Sequence, residues 1–122
     1  MSRTRASAKA AGTRMETLTA DYLAAALNDD RIERRTRNGA KDRGDLGGVR
    51  SPLGERVVVE VKNTSRINLG AWWSEVEVEK GHDGAPIGVI VHKAHGKGQP
   101  GDQWVTTKLS DFARLLGGGP DE

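Results

Sequence analysis

Cysteine is absent from the 122 residues, which excludes a disulfide framework, a thiol nucleophile and a thiolate zinc site. Aromatic residues are scarce, at one Phe, one Tyr and three Trp, and 35% hydrophobic content closes one modest core, not two. No apolar run approaches the roughly 18 residues of a membrane span. Nor does an apolar segment follow the basic start Met1-Ser2-Arg3-Thr4-Arg5, as it would in a secretory signal. These absences imply a single cytoplasmic domain held together by packing alone.

A surplus of one charge sign is missing from the total, +2, but not from its distribution. Arg3, Arg5, Lys9 and Arg14 precede any acid, and Arg31, Arg34, Arg35, Arg37, Lys41 and Arg43 face only Glu33 and Asp42 over residues 31 to 43. Such clusters suit a polyanion, because each Lys or Arg seated on a phosphate releases counterions. They equally describe a solvated surface with a loose tail.

Residues 1–12 read as a disordered basic arm, 13–117 as the folded domain and 118–122 as a flexible tail. Met15, Leu18, Tyr22, Leu23, Ala26 and Leu27 recur at helical spacing, so an amphipathic helix is expected over 14–28 with Thr13 as its cap. Asp45 to Val49 and Arg56 to Lys62 form a candidate hairpin around Ser51-Pro52-Leu53-Gly54. Residues 70–80 alternate as a strand does but also place Trp72, Val76 and Glu79 on one helical face, and helix is the reading adopted. Ile87 to Val91 suits a buried central strand, followed by a Gly/Lys/His loop, a short strand at 103–107 and a last helix capped by Thr107 or Ser110. The expected fold is therefore α/β, a small domain with a mixed central sheet flanked by helices in the order α-β-β-α-β-β-α.

The informative triplet is Glu60-Val61-Lys62, in which residues 60 and 62 share one face of a strand about 7 Å apart. If the hairpin turn centres between Pro52 and Leu53, Asp45 lies directly across from Glu60, and two facing carboxylates call for a cation. A bulge at Gly54 shifts that register by one, and Gly47-Gly48 offers a way back. Glu16 falls between Leu23 and Leu27 around the first helix, on the flank of its buried stripe, although Thr13-Arg14-Met15-Glu16 also reads as a capping box. His92-Lys93-Ala94-His95 sits in a polar loop without the further ligands that a closed zinc site needs.

From Gly12 to about Leu116 the chain resembles the PD-(D/E)xK nuclease superfamily, and within it the small Holliday junction resolvase-like members of archaea and bacterial viruses. Gly12-Thr13-Arg14-Met15-Glu16 resembles the first-helix motif, Arg43-Gly44-Asp45-Leu46 the aspartate motif, and Val59-Glu60-Val61-Lys62-Asn63 the E-x-K strand. Trp72-Trp73-Ser74-Glu75 resembles the next helix, with Glu75 where relatives often carry Gln, and Gly44 replaces the proline of PD.

The resemblance implies a restriction-endonuclease-like core and a Mg²⁺- or Mn²⁺-dependent endonuclease that hydrolyses DNA phosphodiesters. Asp45, Glu60 and the Val61 carbonyl would hold the ion, Glu16 would reach it through a water or hold a second ion, and Lys62 would orient or deprotonate the attacking water. This oxygen-only set suits a hard cation. Arg14, Arg34, Arg35, Arg37, Lys41, Arg43, Arg66, Lys93 and Lys97 are the candidate DNA contacts. Resolving a four-way junction needs paired cuts and hence a homodimer. The three Trp serve either an interface or the core. A nuclease acting on duplex DNA, one acting on RNA, and a non-catalytic nucleic-acid-binding module are the alternatives.

Overall fold

The computed structural model describes residues 4–36 and 41–119, and Arg37 among the candidate DNA contacts lies outside them. The chain folds as a small α/β domain of three helices, a mixed three-stranded sheet and a separate antiparallel two-stranded ribbon. No helix among the described residues is long and apolar enough to cross a membrane.

Helix α1 runs from Arg5 to Ala26, not from residue 14, so residues 5–12 are helical and the arm expected there is corrected. Its N-cap is Thr4, whose side chain accepts from the Ser7 amide, in place of Thr13. The added turns, Arg-Ala-Ser-Ala-Lys-Ala-Ala, lack an apolar stripe but are rich in alanine, the strongest helix former. Thr13 now lies inside the helix, where its amide is already bonded, so Glu16 has no capping box to complete.

Strands β1 (Glu33–Arg34) and β2 (Leu46–Gly47) pair antiparallel, Arg34 opposite Leu46. The expected long hairpin is thus replaced at its far end, where the first arm turns to a partner that has only two strand residues. Strand β3 (Val57–Lys62) runs parallel to β4 (Ile87–His92) through the crossover helix α2 (Leu69–Asp83), and β5 (Trp104–Thr106) closes the sheet antiparallel to β4. A 3-10 turn at Pro100–Asp102 precedes β5, and helix α3 spans Leu109–Leu115. Lys108, not Thr107 or Ser110, takes the cap position of α3, because the Thr107 hydroxyl is given to the Gly88 carbonyl.

β4 is buried along its whole length, as a central strand must be. Val57, Val59 and Val61 face α1 with Met15 and Ala20, while Val58 and Ile90 face α2 with Trp72 and Val76. Trp72 therefore fills core, and Trp104 on edge strand β5 stays 62% exposed. Asp111 of α3 accepts from the Gly88 amide and the Lys80 ammonium, both at 2.9 Å, and ties α3 to β4 and α2.

The hairpin register departs from the simple arithmetic in two places. Gly54, at φ +86°, ends the turn in a left-handed conformation, and Ser51 pairs with Glu55. Farther on, the Val57 amide bonds the Val49 carbonyl and the Asp45 amide bonds the Val59 carbonyl, so the first arm advances four residues while β3 advances two. The surplus is absorbed at Gly47-Gly48, and Asp45 stands opposite Val59 instead of Glu60. Gly48 has φ +83°, and a Cβ there would lie 2.3 Å from the Arg31 carbonyl oxygen. Gly48→Ala is therefore expected to cost about 1–3 kcal/mol or more, read as a lower melting temperature. An unchanged melting temperature would show that this segment is not anchored against Arg31.

Candidate active site

Alternation along β3 turns Glu60 and Lys62 to the α2 face and Val59 and Val61 to the α1 face. Lys62 Nζ lies 3.6 Å from the Glu60 carboxylate and 2.9 Å from that of Glu75 on α2. The other edge of β3 is open at this end, and Asp45 closes it: its Oδ2 accepts from the Val61 amide at 2.7 Å. A residue's amide and carbonyl point to the same edge of a strand, so the Val61 carbonyl shares that edge with Asp45. The side-chain reach of Asp45 thus makes good the register offset in the backbone.

Gly44 sets up this placement with φ +96°, a conformation closed to proline, whose ring fixes φ near −65°. Its amide is held by Asp42 Oδ1 at 2.9 Å, and an added Cβ would touch Val58 and the Val59 carbonyl. The glycine where the resembling motif has proline is therefore a requirement of the local backbone.

Asp45 bridges two further carboxylates. It lies against Glu60 on one side and against Glu16, from α1, on the other. Arg34 of β1 approaches Glu16 at 3.7 Å. Burial and then the Asp45 charge push Glu16 up to about 7, an effect that Arg34 only partly offsets. Burial, Asp45 and Glu79 together hold Glu60 far above the usual carboxylate range. Burial lowers the Lys62 ammonium, but the hydrogen bond it donates to Glu75 and the charges of Glu60, Glu75 and Asp45 outweigh it, and the net direction is upward.

Glu79 is the site residue that the motif reading missed. It is 2% exposed, and burial followed by the Asp42 charge pushes it up to about 8. The helical spacing does place it on one face with Trp72 and Val76, but nothing in that spacing marks it as part of a site. Among the described residues, the three acidic groups whose oxygens all lie within 4.8 Å of one another are Glu60, Glu75 and Glu79. Glu60 and Glu79 each also leave Oε1 buried without a hydrogen-bond partner. Buried carboxylates left in that state require a proton or a cation. The donors are oxygens only, which fits Mg²⁺ or Mn²⁺.

The candidate DNA contacts divide by location. Arg34 and Arg35 line a cleft of about 270 Å³ together with Glu16, Asp45 and Lys9, the last from the segment expected to be disordered. Arg35 also borders a second cleft of about 220 Å³ with Arg43, Arg50, Arg56 and Asp83, and its guanidinium donates to the Arg43 carbonyl at 2.8 Å. Arg14, Lys41, Arg66 and Lys97 are exposed. The Lys93 amide bonds the Lys62 carbonyl at 3.1 Å, which brings the 93–102 loop to the same end of the sheet, but its ammonium is spent on the Lys97 carbonyl. His92 bonds the Thr106 hydroxyl at 2.8 Å and tilts against Trp72, a packing role.

Comparison with protein-family models, with curated proteins and with solved structures finds no match to this chain.

The crowding has a measurable consequence without any substrate. Glu16 and Glu79, at about 7 and about 8 against 4.5 when free, keep protons in the folded chain that the unfolded chain has lost. Stability therefore falls as pH rises from the unfolded value through the folded ones. His92, pushed below 6.5 by burial, acts in the opposite sense only beneath that value. In EDTA the melting temperature is expected to fall between about pH 6.5 and about pH 8.5, and saturating Mg²⁺ to flatten the slope. A melting temperature that holds or rises in EDTA over this range would contradict the carboxylate crowding.

Proposed function

We propose that the chain is a divalent-metal-dependent endodeoxyribonuclease of the PD-(D/E)xK type, with a nuclease domain that begins with helix α1 at Arg5 and a four-way DNA junction as substrate. The observation that carries this reading is the Asp45 carboxylate, fixed by the Val61 amide at 2.7 Å and set against Glu60 beside Lys62. The mixed sheet with α1 on one face and α2 on the other supports a restriction-endonuclease-like core.

Asp45, Glu60 and the Val61 carbonyl are the groups that would hold the ion, with Glu16 behind Asp45. A divalent ion there supplies the charge that polarises the scissile phosphate and makes an attacking water more acidic. The residues of the chain do the rest. Asp45 is held rigid by a main-chain bond, so its geometry does not have to be bought at the moment of reaction. Lys62, kept as an ammonium by Glu60 and Glu75, offsets charge growing on the phosphate oxygens and acts as a cation and donor, not as a base. Arg34 and Arg35, in the cleft beside Glu16, are placed to grip phosphates flanking the cut, and the second cleft continues the basic surface through Arg43, Arg50 and Arg56.

Paired cuts on strands of like polarity need two sites related by a twofold axis, so the junction reading includes a homodimer. Trp104 and Val105, both exposed on edge strand β5, support that edge as a meeting surface for a second copy.

A labelled synthetic four-way junction and its matched linear duplexes, incubated with Mg²⁺ or EDTA, provide the test. Symmetric nicks confined to the junction and abolished by EDTA are expected. Lys62→Ala should slow cleavage at least about a hundredfold while junction affinity changes less than about threefold. Cleavage by Lys62→Ala within about threefold of the wild type rejects the assignment of Lys62. Equal cutting of the duplex keeps the nuclease and rejects the junction, and binding without cutting under any metal favours a DNA-binding module.

A further inference from the structure

We propose that Glu60, Glu75 and Glu79 hold a second divalent cation on the α2 side of β3, so that Glu60 bridges two ions. The inference deepens the nuclease reading and rests on it only for the first ion, between Asp45 and Glu60.

Glu75 and Glu79 are one turn apart on α2 and so present their carboxylates on one side of the helix. That side meets Glu60, and oxygens of the three groups lie within 4.8 Å of one another. Oxygens around one Mg²⁺ or Mn²⁺ stand about 3.0 Å apart when adjacent and about 4.2 Å apart when opposite, so the three side chains draw together to close on an ion. The second observation is independent of the clustering. Glu60 is 4% exposed and Glu79 2% exposed, and each has Oε1 buried with no hydrogen-bond partner.

The local cations do not answer that demand. Among the described residues Lys62 is the one ammonium beside the triad, and it is engaged by Glu75 at 2.9 Å and Glu60 at 3.6 Å. Lys80, next in sequence to Glu79, is turned away to Asp111 at 2.9 Å. Among the described residues no Lys, Arg or His comes within 4.0 Å of the Glu79 carboxylate. One ammonium is therefore set against three carboxylates, and a hard cation with oxygen ligands is the partner that completes them.

The test titrates Mn²⁺ into the full chain without DNA and follows free Mn²⁺ by its electron paramagnetic resonance signal. Two ions per chain are expected for the wild type, and one each for Glu79→Gln and Asp45→Asn, the lost step weakening at least about tenfold. Glu75→Gln alters a largely exposed carboxylate and should lose the same ion as Glu79→Gln, which keeps the proposal refutable if the buried substitution disturbs folding. One ion per chain in the wild type, or two retained in both glutamine variants of α2, overturns it. Junction cleavage followed in parallel separates this inference from the nuclease reading. Cutting with a single bound ion refutes the second site alone. Two ions, one of them surviving Asp45→Asn, in a chain that cuts no DNA refute the nuclease alone.

Discussion

Glu60 lies on a strand whose other five residues are four valines and a lysine, in a place 4% open to water, and its charge must be met by something close at hand. An isolated carboxylate so placed costs several kcal/mol to ionise. Lys62, 3.6 Å away, is also the partner of Glu75, and Asp45, Glu79 and Glu16 add negative charge instead of removing it. A fold selected only for stability would place valine at position 60, as it does at 57, 58, 59 and 61. The crowding is a standing strain between packing and electrostatics, and such conflicts mark the parts of a protein shaped by function.

The scaffold is arranged so that three separate elements deliver acids to that one strand end. The β3–α2–β4 crossover lays α2 over the face carrying Glu60, which brings Glu75 and Glu79 down from above. Helix α1 covers the opposite face and brings Glu16 around the open edge. Asp45 enters along that edge itself, held by its amide to the Val59 carbonyl and by its side chain to the Val61 amide. Two left-handed glycines, Gly44 and Gly48, bend the chain into this approach, and at Gly48 the Arg31 carbonyl is too close for a side chain. The loss of strand pairing between residues 46–48 and β3 is the cost of delivering a carboxylate to an edge that a regular ladder would have covered.

What could be read from the sequence follows from which signals are periodic. The pairing of Glu60 with Lys62 on one face rests on the two-residue repeat of a strand, and the helical reading of 70–80 rests on Trp72, Val76 and Glu79; both are local and both correspond to the structure. The start of α1 escaped because residues 5–12 form a helix by alanine content without any apolar stripe, and periodicity is blind to propensity alone. The sequence marks Gly54 and Gly47-Gly48 as the two places where the hairpin register can shift, but not by how much; both shift, the second by more than the first, and Asp45 ends opposite Val59 instead of Glu60. Glu79 enters the sequence reading only as a member of one helical face with Trp72 and Val76, because its significance is set by Glu60, nineteen positions earlier in the chain and adjacent only after the crossover is formed.

The basic residues divide the same way. Read as one run, residues 31–43 look like a solvated patch, yet Arg34 is drawn in toward Glu16 at 3.7 Å and Arg35 toward Asp83 at 3.5 Å, so both are oriented by acids. An arginine positioned by a fixed carboxylate and a main-chain carbonyl loses less freedom when it meets a phosphate than one waving from the surface. The cleft they border opens directly on Glu16 and Asp45. Guanidinium groups and crowded carboxylates lining one cleft create opposite demands: the arginines attract a polyanion, the acids repel it. The divalent cation proposed at Asp45 would reconcile the two, because it would cancel the repulsion at the acids and leave the attraction of the guanidinium groups intact.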